Sequence, residues 1–162
     1  MILRPLAELC IYLLAFCDSD YGGDSDTRKS VSGFVIYING CIVSWKSVGQ
    51  KSVTLSSTEA ECVAISEVTA EILLIKQVLE FLEQNIAYPI IVNVDNIGAI
   101  YLAKNATTSK RTKHVDIRYH FVRECIEDGI IKIIFVKSAD NDSDVMTKNL
   151  NKDCIMNIVE NL

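Results

Sequence analysis

The stretch from Thr54 to Ser66, with the apolar stripe beyond it, constrains this chain more than any other feature. Ser56 followed three residues later by Glu59 is a capping-box pattern, in which each side chain satisfies the other residue's orphan backbone N–H. Ile65, Val68, Ile72, Ile75, Leu79 and Leu82 then recur at spacings of three and four. That periodicity predicts a helix running to about Leu82 with one face buried. Glu67, Glu71, Glu80 and Glu83 fall off the stripe, where solvent would reach them. Glu61 lies inside the first two turns and, taken alone, reads as one more solvated acid.

The flanking segments carry strand signals. Ile11 to Asp18 reads as a buried strand. Val31 to Ile38 is rich in β-branched and aromatic residues, Asn39-Gly40 is the preferred two-residue turn, and Cys41 to Lys46 supplies the returning strand. Pro89 to Asp95 is a short, nearly continuous apolar run suited to a central strand covered on both faces. A short helix is expected over Ile97 to Lys104, another from His114 to Asp128 ending at Gly129, a strand over Ile130 to Val136, and a last helix capped near Asp140. The order implies an α/β fold with a five-stranded mixed sheet: three antiparallel strands, then two reached by helical crossovers, with helices on the flanks. The 162 residues, 49% of them hydrophobic, fit one domain, expected over 11–162 after an irregular leftover at 1–10.

On that scheme four acids come to the carboxyl ends of the strands: Asp18, Glu61, Asp95 and Asp144, the last in the first turns of the final helix. Two carboxylates about 4 Å apart repel by roughly 4 kcal/mol at an effective dielectric of 20, so the cluster needs cations to stay ionised. Hard oxygen ligands without His or Cys select Mg²⁺ or Mn²⁺ over zinc. Two such ions can activate a water on one side of a phosphorus and stabilise the leaving oxygen on the other.

Net charge is −5, with 21 acids against 16 bases, which argues against nucleic-acid binding by bulk attraction and asks for local basic patches or bridging cations. Six Cys without C-x-x-C or finger spacing read as reduced, mostly buried thiols of an intracellular protein. The sequons at Asn105 and Asn141 are then chance matches. Arg4 precedes an apolar run to Phe16, but Glu8 interrupts it and no small-x-small site closes it, so neither a signal peptide nor a membrane span is expected.

The blocks Asp18-Ser-Asp-Tyr-Gly-Gly-Asp24, Asp26-Thr-Arg-Lys-Ser-Val-Ser-Gly33, Val43-Ser-Trp-Lys-Ser47, Gln50 to Glu61, Val94-Asp-Asn96 and Arg111 to Glu124 closely resemble the RNase H domain of copia-type retrotransposon polyproteins, over about Phe16 to Leu150. The resemblance implies the RNase H fold. It also implies a two-metal (Mg²⁺, with Mn²⁺ a substitute) endonuclease that cuts the RNA strand of an RNA–DNA hybrid, leaving a 3′-hydroxyl and a 5′-phosphate. Matched to the family, the four acids that hold metal and catalyse are Asp18, Glu61, Asp95 and Asp144. Glu61 is preferred to Glu59 because Glu59 already serves the cap. The chain departs from the family at Ile97 after Asn96, at Asp142-Ser143 before Asp144, and at Asn149, which loosens the frame around the last acid. The parental polyprotein would supply a reverse transcriptase ahead of this domain; nothing in the chain resembles one, and the chain reads as a fragment or decayed copy. A cytoplasmic setting in virus-like particles, or a nuclear one, follows.

Substrate contacts are expected from Lys110, Arg111, Lys113 and His114 just before a helix, with Arg118 and Arg123 along it, and from Asn96, while Ile97 loses a polar group that the resemblance implies near the minor groove. A hybrid would be read by backbone shape and 2′-hydroxyls rather than base edges. Trp45 is assigned to packing, and His114 and His120 to structure or phosphate contact. Two alternatives stay open: a decayed RNase H-like module that only binds nucleic acid or protein, and an integrase-like strand-transfer enzyme. The second would call for a terminal Glu in the third acid position and commonly a zinc module, and neither is visible.

Overall fold

The computed structural model describes residues 10–24, 26–105 and 113–148, the side chains of 113–116 excepted. The hairpin forms where the sequence places it. Strands β2 (Val31–Ile38) and β3 (Cys41–Gly49) flank Asn39 and Gly40, whose φ angles of 49° and 84° give the doubly left-handed turn that matches strand twist. Asn39 also ties the turn to the neighbouring strand, accepting from Tyr12 N at 3.0 Å through Oδ1 and donating its own N–H to Tyr12 O.

Strand β1 (Leu13–Asp20) starts and ends two residues later than expected. Ile11 instead bridges to Ile86 beyond the long helix, and pairing with β2 carries the strand on through Ser19 and Asp20. Strands β4 (Ile90–Val94) and β5 (Ile131–Phe135) complete a sheet of order β3-β2-β1-β4-β5. The first three strands are antiparallel, and β1, β4 and β5 run parallel, as a mixed sheet with crossovers requires. The central strand is less evenly covered than its composition suggests: Ile90, Val92 and Val94 are fully buried, while Ile91 and Asn93 on the other face are half-buried.

Helix α1 (Ser57–Phe81) lays Ile65, Val68, Ile72 and Leu79 into the main core against Leu13, Ala15, Phe34, Ile36 and Val92. Leu82, expected to extend that stripe, is exposed because the helix has ended there. The capping box is half formed. Ser56 accepts from Glu59 N, but the Glu59 carboxylate bonds Leu55 N at 2.8 Å, one residue further back than the pattern requires. Helix α2 (Ile97–Lys104) runs as expected, and helix α3 (Lys113–Glu127) ends at Gly129, whose φ of 70° makes it a left-handed stop.

Two expectations fail at the edges of the fold. Trp45 is 64% exposed rather than packed. Its neighbours Ser44 and Lys46 bond Glu71 and Glu67 of α1, so strand alternation turns Trp45 to the opposite face of an edge strand. The same bonds give Glu67 and Glu71 partners on the sheet. At the other end, Asp140 does not cap a helix: Ser138–Asp140 is a 3₁₀ turn, and α4 (Asp144–Thr147) begins four residues later. Cys17, Cys62 and Cys125 are buried, whereas Cys41, at the start of β3, is exposed.

Gly33 shows how closely α4 sits on β2. A Cβ there would lie 2.6 Å from Met146 Cβ and 2.7 Å from Thr147 Cγ2, too near for either to stay in place. Gly33→Ala is expected to destabilise the protein by about 1–3 kcal/mol in urea unfolding, by pushing α4 off the sheet. An unchanged midpoint would show that α4 does not pack there. None of the described helices is long and apolar enough to cross a membrane.

Candidate active site

Parallel pairing of β1 with β4 sets Cys17 beside Val94, so the next residue of each chain segment, Asp18 and Asp95, emerges at the same carboxyl edge of the sheet. Glu61 arrives from the second turn of α1. Asp18 and Glu61 are almost fully buried, and Asp18, Glu61 and Asp95 each place a carboxylate oxygen within 4.8 Å of the others.

Each acid is held by a neighbour. Ser19 donates its backbone N–H (3.0 Å) and its hydroxyl (3.3 Å) to Glu61 Oε1, leaving Glu61 Oε2 buried without a hydrogen-bond partner among the described residues. The Ser138 hydroxyl donates to Asp95 Oδ2 at 2.6 Å, and the Thr147 hydroxyl donates to Asp18 Oδ2. Burial, then the Asp18 charge, push the Glu61 carboxyl up to about 8. The buried Cys17 thiol is likewise driven well above its ordinary range, by burial first and by Glu61, Asp18 and Asp95 next.

Asp144 stands beside this trio rather than within it. Its Oδ1 lies 2.9 Å from Lys148 Nζ, which also lies 3.5 Å from Asp18 Oδ2. Burial raises the Asp144 carboxyl, against the opposing pull of Lys148. The turn that delivers Asp144 is anchored by the buried Asn141, whose amide donates to Cys17 O at 3.2 Å and whose Oδ1 accepts from Ser143 N and Oγ. Tyr37 fixes the same turn by donating to Asp142 Oδ2 at 2.8 Å. Asn141, Thr147 and Lys148 escaped sequence reasoning. Only the spacing of Thr147 and Lys148, one helical turn beyond Asp144, hinted that they would face the same acids.

The expected substrate contacts are scattered in what can be described. Lys110 and Arg111 lie outside the described residues, and Lys113 and His114 start α3 with side chains that are not described. Arg118 is half-buried and reaches Ser66 Oγ at 3.4 Å; Arg123 bonds the carbonyls of Asn105 and Leu102; Asn96 caps α2 by accepting from Ala99 N. His120 is exposed on α3.

An all-oxygen donor set, a buried Glu61 oxygen without a hydrogen-bond partner among the described residues, and burial and an Asp18 charge that raise the proton affinity of Glu61 together suit a hard divalent cation. Asp18, Glu61 and Asp95 could hold one.

No family model matches the chain. It is 38% identical over 136 residues to the retrovirus-related Pol polyprotein from transposon TNT 1-94 of Nicotiana tabacum, covering 84% of this chain and 10% of the relative. It is 34% identical over 145 residues to that from transposon RE2 of Arabidopsis thaliana, covering 90% and 10%. The chain thus spans about a tenth of the length of the curated relatives it matches. Among solved structures it is similar to the N-terminal RNase H domain of rv2228c from Mycobacterium tuberculosis, with a TM-score of 0.63 at 10% identity over 93% of this chain and 97% of that one. It is also similar to LC11-RNase H1 in complex with an RNA/DNA hybrid, with a TM-score of 0.54 at 10% identity over 88% and 99%.

Proposed function

Because this chain belongs with the copia-type transposon Pol polyproteins as their RNase H-fold domain, we propose that it is an endonuclease that hydrolyses the RNA strand of RNA–DNA hybrids. The observation that carries the reading is the gathering of Asp18, Glu61 and Asp95 within 4.8 Å at the carboxyl edge of the sheet, with one Glu61 oxygen buried and unpartnered among the described residues. Asp18, Glu61 and Asp95, joined by Asp144 from α4, would hold two Mg²⁺. When bound, these ions supply an activated water and stabilise the departing oxygen of a phosphodiester.

The chain's own residues do the positioning. Ser19 aims Glu61, Ser138 aims Asp95, and Thr147 aims Asp18, so the carboxylates are oriented before any cation arrives. Water attacks the phosphorus in line and the P–O3′ bond breaks. The leaving O3′ takes a proton to become a 3′-hydroxyl, and the phosphate stays on the 5′ side of the next nucleotide. Lys110, Arg111, Lys113, His114 and Arg118 would meet the backbone of the hybrid, and the 2′-hydroxyls would mark its RNA strand. In the parental polyprotein the domain would work beside a reverse transcriptase, in cytoplasmic particles or in the nucleus.

An end-labelled RNA–DNA duplex tests the reading directly. Cleavage of the RNA strand is expected with Mg²⁺, to be abolished by EDTA and restored by Mn²⁺, while single-stranded RNA and duplex DNA stay intact. Hybrid binding with no turnover in either cation would assign the chain to a binding-only role.

A further inference from the structure

Among the described residues, one cation forms ion pairs with the acids of the site. The Lys148 ammonium lies 2.9 Å from Asp144 Oδ1 and 3.5 Å from Asp18 Oδ2, bridging a carboxylate on β1 to one on α4. Asp18 is nearly sealed from water, with 2% side-chain exposure, and a charge in that setting needs a counter-charge. Neither Glu61 nor Asp95 has an ammonium or guanidinium of its own among the described residues. The positive charge therefore stands on one side of the cluster only, between Asp18 and Asp144.

Lys148 is also placed to leave. Its side chain is 38% exposed, and it sits at the C-cap of α4 with its backbone N–H bonded to Asp144 O at 2.9 Å. The ammonium can swing into water on its four-carbon stem while the helix stays where it is. A divalent ion that bridged Asp18 and Asp144 would occupy the space this ammonium fills, and two cations cannot share it.

We propose that Lys148 is a built-in counter-ion for the site, standing between Asp18 and Asp144 when no divalent cation bridges them, and displaced when one does. The lysine then sets the concentration of cation at which the site fills completely. Occupation proceeds in two steps: the Asp18–Glu61–Asp95 side takes an ion with no lysine to displace, and the Asp18–Asp144 side takes one only by evicting Lys148. This inference rests on the reading of those carboxylates as cation ligands.

The test needs no substrate. Titrations of Mg²⁺ and of Mn²⁺ by calorimetry, with thermal melts at each concentration, are run on the parent chain, Lys148→Met and Lys148→Arg. Lys148→Met is expected to melt lower without metal, because it leaves Asp18 and Asp144 unbalanced. It should fill its weaker step at a cation concentration roughly three- to tenfold lower than the parent. Lys148→Arg, which can grip both carboxylates through its fork, is expected to raise that concentration. A parent chain that shows neither heat nor stabilisation with either ion would remove the cation site itself. A parent that binds, with Lys148→Met binding equally or more weakly, would overturn the counter-ion role and leave the nuclease reading standing.

Discussion

Replacing Asp95 with asparagine is expected to slow cleavage of the RNA strand by on the order of 10³-fold, while the metal-free protein keeps or slightly gains stability. The expectation follows from what the substitution leaves alone. Asn keeps the shape of Asp and an acceptor oxygen for the Ser138 hydroxyl, so the 2.6 Å bond that orients the residue survives. What it removes is one negative charge from a trio packed within 4.8 Å. Without cations that loss relieves repulsion; with them it deletes a ligand that a neutral amide replaces poorly, and several kcal/mol of transition-state stabilisation go with it. Single-turnover cleavage at saturating Mg²⁺ and a melt in EDTA measure the two halves. Undiminished cleavage in Asp95→Asn would take this acid out of the mechanism.

The second large effect concerns pH. The Glu61 carboxyl has an ordinary value of 4.5 and is pushed to about 8 in the fold, by burial and by Asp18. Between those values the folded chain holds a proton that the unfolded chain has released, so stability must fall as pH rises. The contribution is full below about 4.5 and gone above about 8, an effect on the order of 3–5 kcal/mol across the window. Asp144, raised by burial, adds a slope of the same sign. Lys148 is raised above 10.5, because Asp144 and Asp18 outweigh the burial that opposes its charge, so what it contributes is lost only above this window. Urea unfolding in EDTA from pH 5 to pH 8 should show the decline, and Glu61→Gln, which keeps an acceptor for Ser19 but has no proton to lose, should flatten most of it. A parent and variant with the same slope would assign the pH dependence to other groups. Added Mg²⁺ competes with that proton, so its stabilising effect is expected to grow with pH.

Much of this architecture was legible because local and global demands agreed. Asn39-Gly40 between two alternating strands leaves one outcome, and the hairpin strands begin and end beside it as expected. The stripe from Ile65 to Leu79 is buried because a long helix facing a sheet has only one way to hide it. Errors gathered where the partner lies far off in sequence. Composition says that Trp45 is apolar, but not that it falls on the uncovered side of an edge strand. Asp140 is a good helix cap by type, yet the buried Asn141, tied to Cys17 O, places the start of α4. The trio of Asp18, Glu61 and Asp95 followed from reading acids at the ends of strands and the start of a helix. Asp144 is expected with them, and in the structure its Oδ1 lies 2.9 Å from Lys148 Nζ, a pairing that only the four-residue spacing hints at.

The Thr147 hydroxyl and the Asp18 carboxylate that it contacts are separated by 129 positions. A ribosome working at about 5–20 residues per second makes Asp18 roughly ten seconds before it makes Thr147 and Lys148. Over the last 52 of those positions, from Asp95 to Thr147, the nascent chain carries Asp18, Glu61 and Asp95 but has neither the hydroxyl that aims Asp18 nor the ammonium that balances it. Translation therefore delivers the acidic trio before the piece that neutralises it.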